Sequence, residues 1–136
     1  LSLLAIDADH FKQINDTLGH AAGDTVLQHL AETITRSARE IDVVARVGGE
    51  EFAVLLPSTA LAAALAVAER IRKNVESAAI HIDGREVRYT VSIGVSTMCE
   101  GVSGMDDMMK MADKALYDAK RNGRNRIYVA GKPGTP

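Results

Sequence analysis

The stretch from Asp42 to Leu56, DVVARVGGEEFAVLL, decides the class of fold that this sequence predicts. Two apolar runs, Asp42 to Val47 and Phe52 to Leu56, flank Gly48-Gly49-Glu50-Glu51, and this pattern is typical of a β-hairpin. We expect the two glycines to supply backbone angles that are forbidden to other residues. The acidic pair is then placed at a turn between two neighbouring strands.

Further strands and helices are predicted on both sides of this hairpin. The apolar run Leu1 to Ile6 predicts a central strand covered on both faces, and Val87 to Val95 predicts a half-buried strand. Because hairpins interrupt a strict alternation of strand and helix, the class is α+β. The other predicted elements are a short helix ending at Gly19, a helix capped by Asp24, a helix from Ser58 to about Ser77, a hairpin turn at Asp83-Gly84, a helix around Met105 to Arg121 and a strand at Arg126 to Val129.

Composition limits the domain organisation and the class of partner. With 136 residues, 46% of them hydrophobic, the chain predicts one domain over residues 1–130 and a disordered tail over residues 131–136. The formal net charge of -2 argues against DNA binding, and no apolar run approaches the ~20 residues of a membrane span, which predicts a cytoplasmic protein. Because the chain opens directly on an apolar strand, we expect a lead segment and an input domain to precede it.

Carboxylates follow the first strand, at Asp7 and Asp9, and occupy the hairpin turn, at Glu50 and Glu51. If the two strands are neighbours, Asp7 and one glutamate lie within ~4 Å, a repulsion of about 4 kcal/mol at an effective dielectric constant of ~20. A divalent cation relieves this repulsion, and Mg²⁺ suits a nucleoside triphosphate substrate because it binds carboxylate and phosphate oxygens. Solvated turn carboxylates without a ligand are the alternative interpretation of the same spacing.

Four ordered motifs resemble those of one protein family. They are DADHFKQINDTLGHAAGD from Asp7, RVGGEEFAVLLP from Arg46, VSIGVS from Val91 and ADKALYDAKRNGRN from Ala112. Their order and spacing resemble GGDEF domains in the GGEEF form, in particular those of response-regulator cyclases. The resemblance implies a nucleotide-cyclase or palm-like fold with a mixed, largely antiparallel central sheet flanked by helices. It also implies a diguanylate cyclase, which condenses two GTP molecules into cyclic di-GMP and two pyrophosphates in bacterial signalling.

The resemblance also implies the residues of the reaction centre. Asp7 and Glu50 would bind Mg²⁺, or Mn²⁺, with help from the Ala8 carbonyl, and Glu51 would support this metal site. Glu50 would also act as the base for the attacking 3′-hydroxyl. Lys12 would stabilise charge in the transition state, which suits phosphoryl transfer because that reaction depends on positioning and on charge neutralisation. Lys12 as an ordinary surface lysine is the alternative.

The same resemblance implies a set of contacts to GTP. Asn15 and Asp24 would recognise guanine, because an amide and a carboxylate can pair with groups that adenine lacks. Asp24 could also serve only as a helix cap. The phosphates would contact backbone N–H groups near His10 and Phe11, the turn glycines Gly48 and Gly49, and the side chains of Lys120 and Arg124.

A second site is implied by Arg39-Glu40-Ile41-Asp42, which resembles the R-x-x-D site where cyclic di-GMP inhibits its own synthesis. Arg70 on the following helix would add a contact. Because each domain would bind one GTP, catalysis would require a homodimer. The alternative function is a non-catalytic receptor domain that binds GTP or cyclic di-GMP and signals by contact.

Overall fold

The computed structural model describes residues 1–131, which form one five-stranded sheet, a separate two-stranded hairpin and four helices. The tail predicted for residues 131–136 lies outside the described residues, apart from Gly131. The elements are β1 (Ser2–Ala8), α1 (Phe11–Leu18), α2 (His20–Ser37), β2 (Val43–Arg46), β3 (Glu51–Leu56), α3 (Leu61–Ser77), β4 (Ile80–Ile82), β5 (Arg85–Val87), β6 (Val91–Thr97), α4 (Met105–Arg121) and β7 (Ile127–Val129).

The main sheet has the strand order β2-β3-β1-β6-β7. The strand β1 is antiparallel to both of its neighbours, β3 and β6, and β2 is antiparallel to β3. At the other edge β7 is parallel to β6. The predicted α+β class, with a mixed and largely antiparallel central sheet, is therefore confirmed.

The central strand β1 is buried on both faces, as its apolar stretch LLAI predicted. Leu4 and Ile6 belong to the larger core, which also contains apolar residues of α1, α2 and α3. Leu3 and Ala5, which point to the opposite face because side chains alternate along a strand, belong to a smaller core with Met108 of α4. The sheet is thus covered on both sides, and no helix within residues 1–131 is long and apolar enough to cross a membrane.

The strand predicted from Val87 to Val95 is wrong in its bounds and in its half-exposed character. It is divided between β5, which ends at Val87, and β6, which begins at Val91. Ser92 and Ser96 are buried because α4 packs on the face that was predicted to meet solvent. Gly94 permits this packing, since a Cβ there would lie 2.0 Å from the Ala112 carbonyl oxygen.

Two predicted helix starts are also corrected. The helix α2 begins at His20, directly after Gly19, so Asp24 lies inside the helix and does not cap it. His20 to Gly23 are also helical. The helical conformation is interrupted at Gly19, whose φ is 93°, so α2 begins at the next residue. The helix α3 begins at Leu61, because Ser58 has a φ of 50° that no α-helix accommodates.

Candidate active site

The register of β1 and β3 places Asp7 directly opposite Glu51. Glu50 precedes β3 in the hairpin turn, and its negative charge acts on Asp7. Burial raises the pKa of Asp7, and the charges of Glu50 and Asp9 raise it further, while Lys120 opposes them. Two of the predicted carboxylates therefore meet across neighbouring strands.

Lys120 of α4 is ion-paired with Asp7 of this carboxylate pair. Its Nζ donates a hydrogen bond to Asp7 Oδ2 at 2.5 Å, and the Lys120 and Asp7 side chains are 28% and 14% exposed. Partial shielding from water strengthens such a pair relative to one on an open surface. The sequence singled out Lys120 as a phosphate contact, whereas its pairing with Asp7 was not predicted.

Asp113 of α4 is a further carboxylate at the site, and its role was not predicted from the sequence. The pKa of Glu51 is raised to about 7, chiefly by burial and further by a hydrogen bond and negative charge from Asp113 and by the charge of Asp7, while Lys120 opposes them. A hydrogen bond between two carboxyl groups requires a proton on one of them. The signal that could have identified Asp113 is its position seven residues before Lys120, which places both on one helix face.

The carboxylate pair fits a small divalent cation. Asp7 Oδ1 and Glu51 Oε1 are both buried without a hydrogen-bond partner among the described residues. Such oxygens are costly to bury unless they bind something, and carboxylates are preferred ligands of Mg²⁺ and Mn²⁺. No group of three or more His, Cys, Asp or Glu side chains within residues 1–131 forms a complete metal centre. Two carboxylates are enough for a divalent cation that also binds substrate phosphates.

The glycines of the hairpin turn do not adopt the forbidden angles predicted for them. Neither Gly48 nor Gly49 has a positive φ. The Glu51 carbonyl closes the turn by accepting hydrogen bonds from the Val47 and Gly48 N–H groups at 2.9 and 3.3 Å. Arg46 Nη2 donates to the Gly49 carbonyl at 2.7 Å. A Cβ at Gly49 would meet nothing within 4 Å, so the surface of the turn is open at this position, next to Glu50.

The predicted phosphate loop follows β1 at the end that carries Asp7. His10 has a φ of 56° and precedes α1, and Phe11, the first residue of that helix, is buried. The first backbone N–H groups of a helix have no acceptor within it, so those after His10 can bind an anion. Lys12 is exposed in this first turn.

Asn15 and Asp24, the predicted guanine contacts, are carried by α1 and α2. The two helices approach closely at Gly23, where a Cβ would lie 1.8 Å from Asn15 Oδ1 and 3.1 Å from Phe11 Cζ. Asn15 Oδ1 is buried without a partner among the described residues, and Asp24 is exposed next to Gly23. The helix packing thus places Asn15 against Gly23, the residue that precedes Asp24 in the chain.

Arg124, the second predicted phosphate contact, lies in a turn after α4. Gly123, Arg124 and Asn125 have φ angles of 125°, 61° and 47°. The Arg124 N–H donates to the Ala119 carbonyl at 3.0 Å, and the residue is exposed. Lys120 and Arg124 therefore both lie near the C-terminal end of α4, and Lys120 is paired with Asp7.

The residues of the predicted inhibitory site are neighbours. Arg39 Nη2 donates to Asp42 Oδ1 at 2.8 Å and to Thr59 Oγ1 at 2.6 Å. Burial favours a raised pKa for Asp42, but hydrogen bonds and charge from Arg39 and the charge of Arg70 outweigh burial and lower the pKa. Arg70 Nη2 donates to the Ser37 carbonyl at 2.7 Å. The three predicted residues thus lie close together, with the Asp42 side chain covered and the Arg39 guanidinium partly exposed.

The fold and the site define a mixed-sheet domain with an acidic, cation-compatible centre at the end of its central strand. Residues 1–126 match the family model described as "Diguanylate cyclase, GGDEF domain". The chain belongs to the GGDEF family, as its motifs predicted.

Curated relatives support the same family. The chain is 53% identical over 130 residues to "Diguanylate cyclase A" of Treponema denticola, which covers 96% of this chain and 35% of the relative. It is 46% identical over 129 residues to "Response regulator PleD" of Caulobacter vibrioides, with 93% and 28% covered. The chain therefore spans about a third of the length of these relatives.

Solved structures share the fold. A GGDEF domain from Pseudomonas aeruginosa superposes with a TM-score of 0.92 at 43% identity, covering 96% of this chain and 82% of that one. The GGDEF domain of DgcB from Caulobacter crescentus, solved in complex with c-di-GMP, gives 0.89 at 40% identity, covering 94% and 76%.

Proposed function

We propose that this domain is a diguanylate cyclase that condenses two GTP molecules into cyclic di-GMP and releases two pyrophosphates. The observation that carries the proposal is the pair formed by Asp7 and Glu51, which face each other across β1 and β3, each with a buried oxygen that lacks a partner among the described residues. The names of the curated relatives, which match nearly the whole of this chain, support the same reaction.

Asp7, Glu50 and Glu51 would hold Mg²⁺ or Mn²⁺, together with the backbone carbonyl of Ala8 at the end of β1. When bound, the divalent cation would neutralise the negative charge that develops on the transferring phosphoryl group. Lys120 supports this role by favouring the anionic form of Asp7, against the effect of burial.

Glu50 would act as the general base. The 3′-oxygen of one GTP bonds to the α-phosphorus of the other, the bond to pyrophosphate breaks, and the 3′-hydroxyl proton passes to Glu50. Lys12, exposed on the first turn of α1, would neutralise charge on the phosphates. The remaining phosphate contacts would be Lys120, Arg124 and the backbone of His10, Phe11, Gly48 and Gly49.

Asn15 of α1 and Asp24 of α2 would recognise guanine. Asn15 Oδ1, buried without a partner among the described residues, can accept a hydrogen bond from the base, and the Asp24 carboxylate can accept from guanine N–H groups. Adenine would leave these groups unpaired, which is the strongest form of discrimination a polar pocket offers.

The reaction would require two copies of the domain with their sites facing each other, because cyclic di-GMP is built from two GTP molecules and each domain would bind one. We therefore propose a homodimer as the active form. The proposal includes a cytoplasmic location, where GTP is available.

Arg39, Asp42 and Arg70 would bind cyclic di-GMP as an inhibitor. Arginine pairs with phosphate through its planar fork of donors, and aspartate can accept guanine N–H bonds. The exposed Arg39 guanidinium and its contact with Asp42 support this assignment.

The test is chromatographic product analysis after the concentrated domain is incubated with GTP and Mg²⁺. The wild-type protein and Glu100→Gln, a change at an exposed residue, should form cyclic di-GMP. Glu50→Gln should form none, because it has lost the base.

A silent wild-type domain would be fused to a dimerising segment and assayed again. Continued silence with intact GTP binding would reject the cyclase and favour the second candidate, a non-catalytic receptor of GTP or cyclic di-GMP.

A further inference from the structure

Asp9 lies two residues beyond Asp7, yet its surroundings are of a different kind. It is 2% exposed, and three donors satisfy its carboxylate. Oδ1 accepts from Ser92 Oγ at 2.7 Å, while Oδ2 accepts from Thr90 Oγ1 at 2.7 Å and from the Asn125 backbone N–H at 3.0 Å. Asp9 is therefore bonded to the protein, whereas Asp7 retains an oxygen for a ligand.

The Asn125 N–H that Asp9 binds belongs to the turn that carries Arg124. Two consecutive residues that are not glycine, Arg124 and Asn125, have positive φ angles there. Such backbone is unfavourable and persists only where the surroundings fix it. A hydrogen bond from the turn to a buried carboxylate is a constraint of that kind.

The side chain of Asn125 ties the same turn to α3. Arg72 Nη1 donates to Asn125 Oδ1 at 2.9 Å, and Asn125 Nδ2 donates to the Glu76 carboxylate. Arg72 is itself held by Glu69, whose Oε1 is 2.6 Å from Arg72 Nη2, and its side chain is 15% exposed. The turn is thus held between β1 on one side and α3 on the other.

We propose that Asp9 and Asn125 are positioning residues that hold the Arg124 guanidinium toward the triphosphate of the bound nucleotide. This inference rests on the proposed function, because it takes Arg124 as a phosphate contact. Asp9 shares a strand end with Asp7, so the bond from Asp9 to the turn fixes the phosphate-binding arginine relative to the acidic centre. Neither residue needs to touch the nucleotide.

Two serines of β6 provide a matched pair of variants. Ser92 and Ser96 are both buried, and each donates one hydrogen bond, Ser92 to Asp9 at 2.7 Å and Ser96 to the Met108 carbonyl at 2.8 Å. Both Ser→Ala changes remove one buried hydrogen bond from the same strand. Only Ser92→Ala should accelerate hydrogen exchange of the Asn125 amide, measured by NMR without any nucleotide.

The functional measurement is the ratio of the Kd for GMP to the Kd for GTP, determined by calorimetry, which isolates the contribution of the terminal phosphates. Arg124→Ala should lower this ratio about tenfold, and Asp9→Ala should lower it by a similar factor. Asp9→Asn should stay within about twofold of wild type, since its amide can still accept from the turn while Ser92 reverses its hydrogen bond. The double variant Asp9→Ala with Arg124→Ala should be no worse than Arg124→Ala alone.

Several outcomes would overturn the inference. Additive losses in the double variant would show that Asp9 does not act through Arg124. Equal effects of Ser92→Ala and Ser96→Ala on the ratio and on the Asn125 amide would reduce Asp9 to a general stabilising role. If Asp9→Ala does not fold, Ser92→Ala and Asp9→Asn still decide the matter. A wild-type protein that binds GTP no more tightly than GMP would also overturn the inference, because Arg124 would then have no phosphate contact, whereas a wild-type protein that forms no cyclic di-GMP would reject the proposed function itself.

Discussion

Lys120 Nζ lies 2.5 Å from Asp7 Oδ2 and joins α4 to the end of the central strand. This ion pair spans 113 residues of sequence and places a positive charge at the edge of the acidic centre. It also opposes the effect of burial on Asp7, since burial raises the pKa of that carboxyl and Lys120 lowers it. A single lysine thus favours the form of Asp7 that can bind a cation.

Replacing Lys120 by glutamine should lower kcat/KM for GTP about 10- to 100-fold, because Asp7 loses its counter-charge and the phosphates lose a proposed contact. Lys114→Gln, at an exposed position of the same helix, is the control and should retain wild-type rates. Initial rates of cyclic di-GMP formation measure both. Equal rates for the two variants would contradict the role given to the ion pair.

Gly23→Ala should weaken the preference for guanine. A Cβ at this position would lie 1.8 Å from Asn15 Oδ1, so the Asn15 side chain must leave the place where it is proposed to meet the base. We expect the affinity for GTP to fall about tenfold while the much weaker affinity for ATP stays unchanged. Calorimetric titration with each nucleotide tests this, and an equal loss for both would indicate a general distortion of α1 and α2.

Gly94→Ala should destabilise the domain by about 3 kcal/mol or more, because the added Cβ would lie 2.0 Å from the Ala112 carbonyl oxygen and 2.4 Å from the Leu116 nitrogen, both backbone atoms of α4. Gly49→Ala, where a Cβ meets nothing within 4 Å, should unfold at the wild-type denaturant concentration. Urea unfolding followed by circular dichroism compares the two. A wild-type midpoint for Gly94→Ala would mean that α4 is not seated on β6 as described.

Acid should destabilise the domain partly through His29, whose Nδ1 is 2.7 Å from the Tyr89 hydroxyl. Burial lowers the pKa of His29, and the charge of Arg36 acts in the same direction while Glu32 opposes it. The folded state therefore takes up this proton less readily than the unfolded state, whose histidine has a pKa of about 6.5. The stability that neutral His29 contributes is therefore intact above about pH 6.5. It is lost as the pH falls toward the lower pKa of His29 in the folded state.

The measurement for His29 is the free energy of unfolding at pH 7.5 and at pH 5.5. The wild type and His81→Gln, changed at an exposed histidine, should lose more stability between these two values than His29→Gln does. An identical pH dependence in all three proteins would exclude His29 as the titrating group.

The sequence predicted those parts of the fold that depend on local pattern. The apolar run of β1, the Asp83-Gly84 turn and the bounds of α4 from Met105 to Arg121 all follow from periodicity or turn chemistry. What it missed depends on packing between distant segments. In sequence, the two serines of β6 resemble a solvent-facing row, but α4 covers them in the structure. The need for glycine at position 94 arises only because the Ala112 carbonyl packs against it.

Some residues of the candidate site could likewise be predicted from the sequence, and others could not. The motifs brought Asp7, Glu50 and Glu51 to attention, and the register of β1 and β3 supplied the contact that the motifs suggested. Asp113 was missed because its importance arises from tertiary contact with Glu51. Asp9 was grouped with Asp7 as a carboxylate after the first strand, because sequence alone does not reveal that three donors already satisfy it.

If Asp7 and Glu51 bind a divalent cation together with GTP, electron paramagnetic resonance of Mn²⁺ detects that binding. The Mn²⁺ signal is followed as protein is added in the presence of 3′-deoxy-GTP, which lacks the attacking hydroxyl and cannot be cyclised. We expect the wild type and Asp106→Asn, changed at an exposed residue, to bind Mn²⁺ equally. Asp7→Asn and Glu51→Gln should bind it at least about tenfold more weakly. Wild-type Mn²⁺ affinity in Asp7→Asn and Glu51→Gln would show that these two carboxylates do not bind the cation.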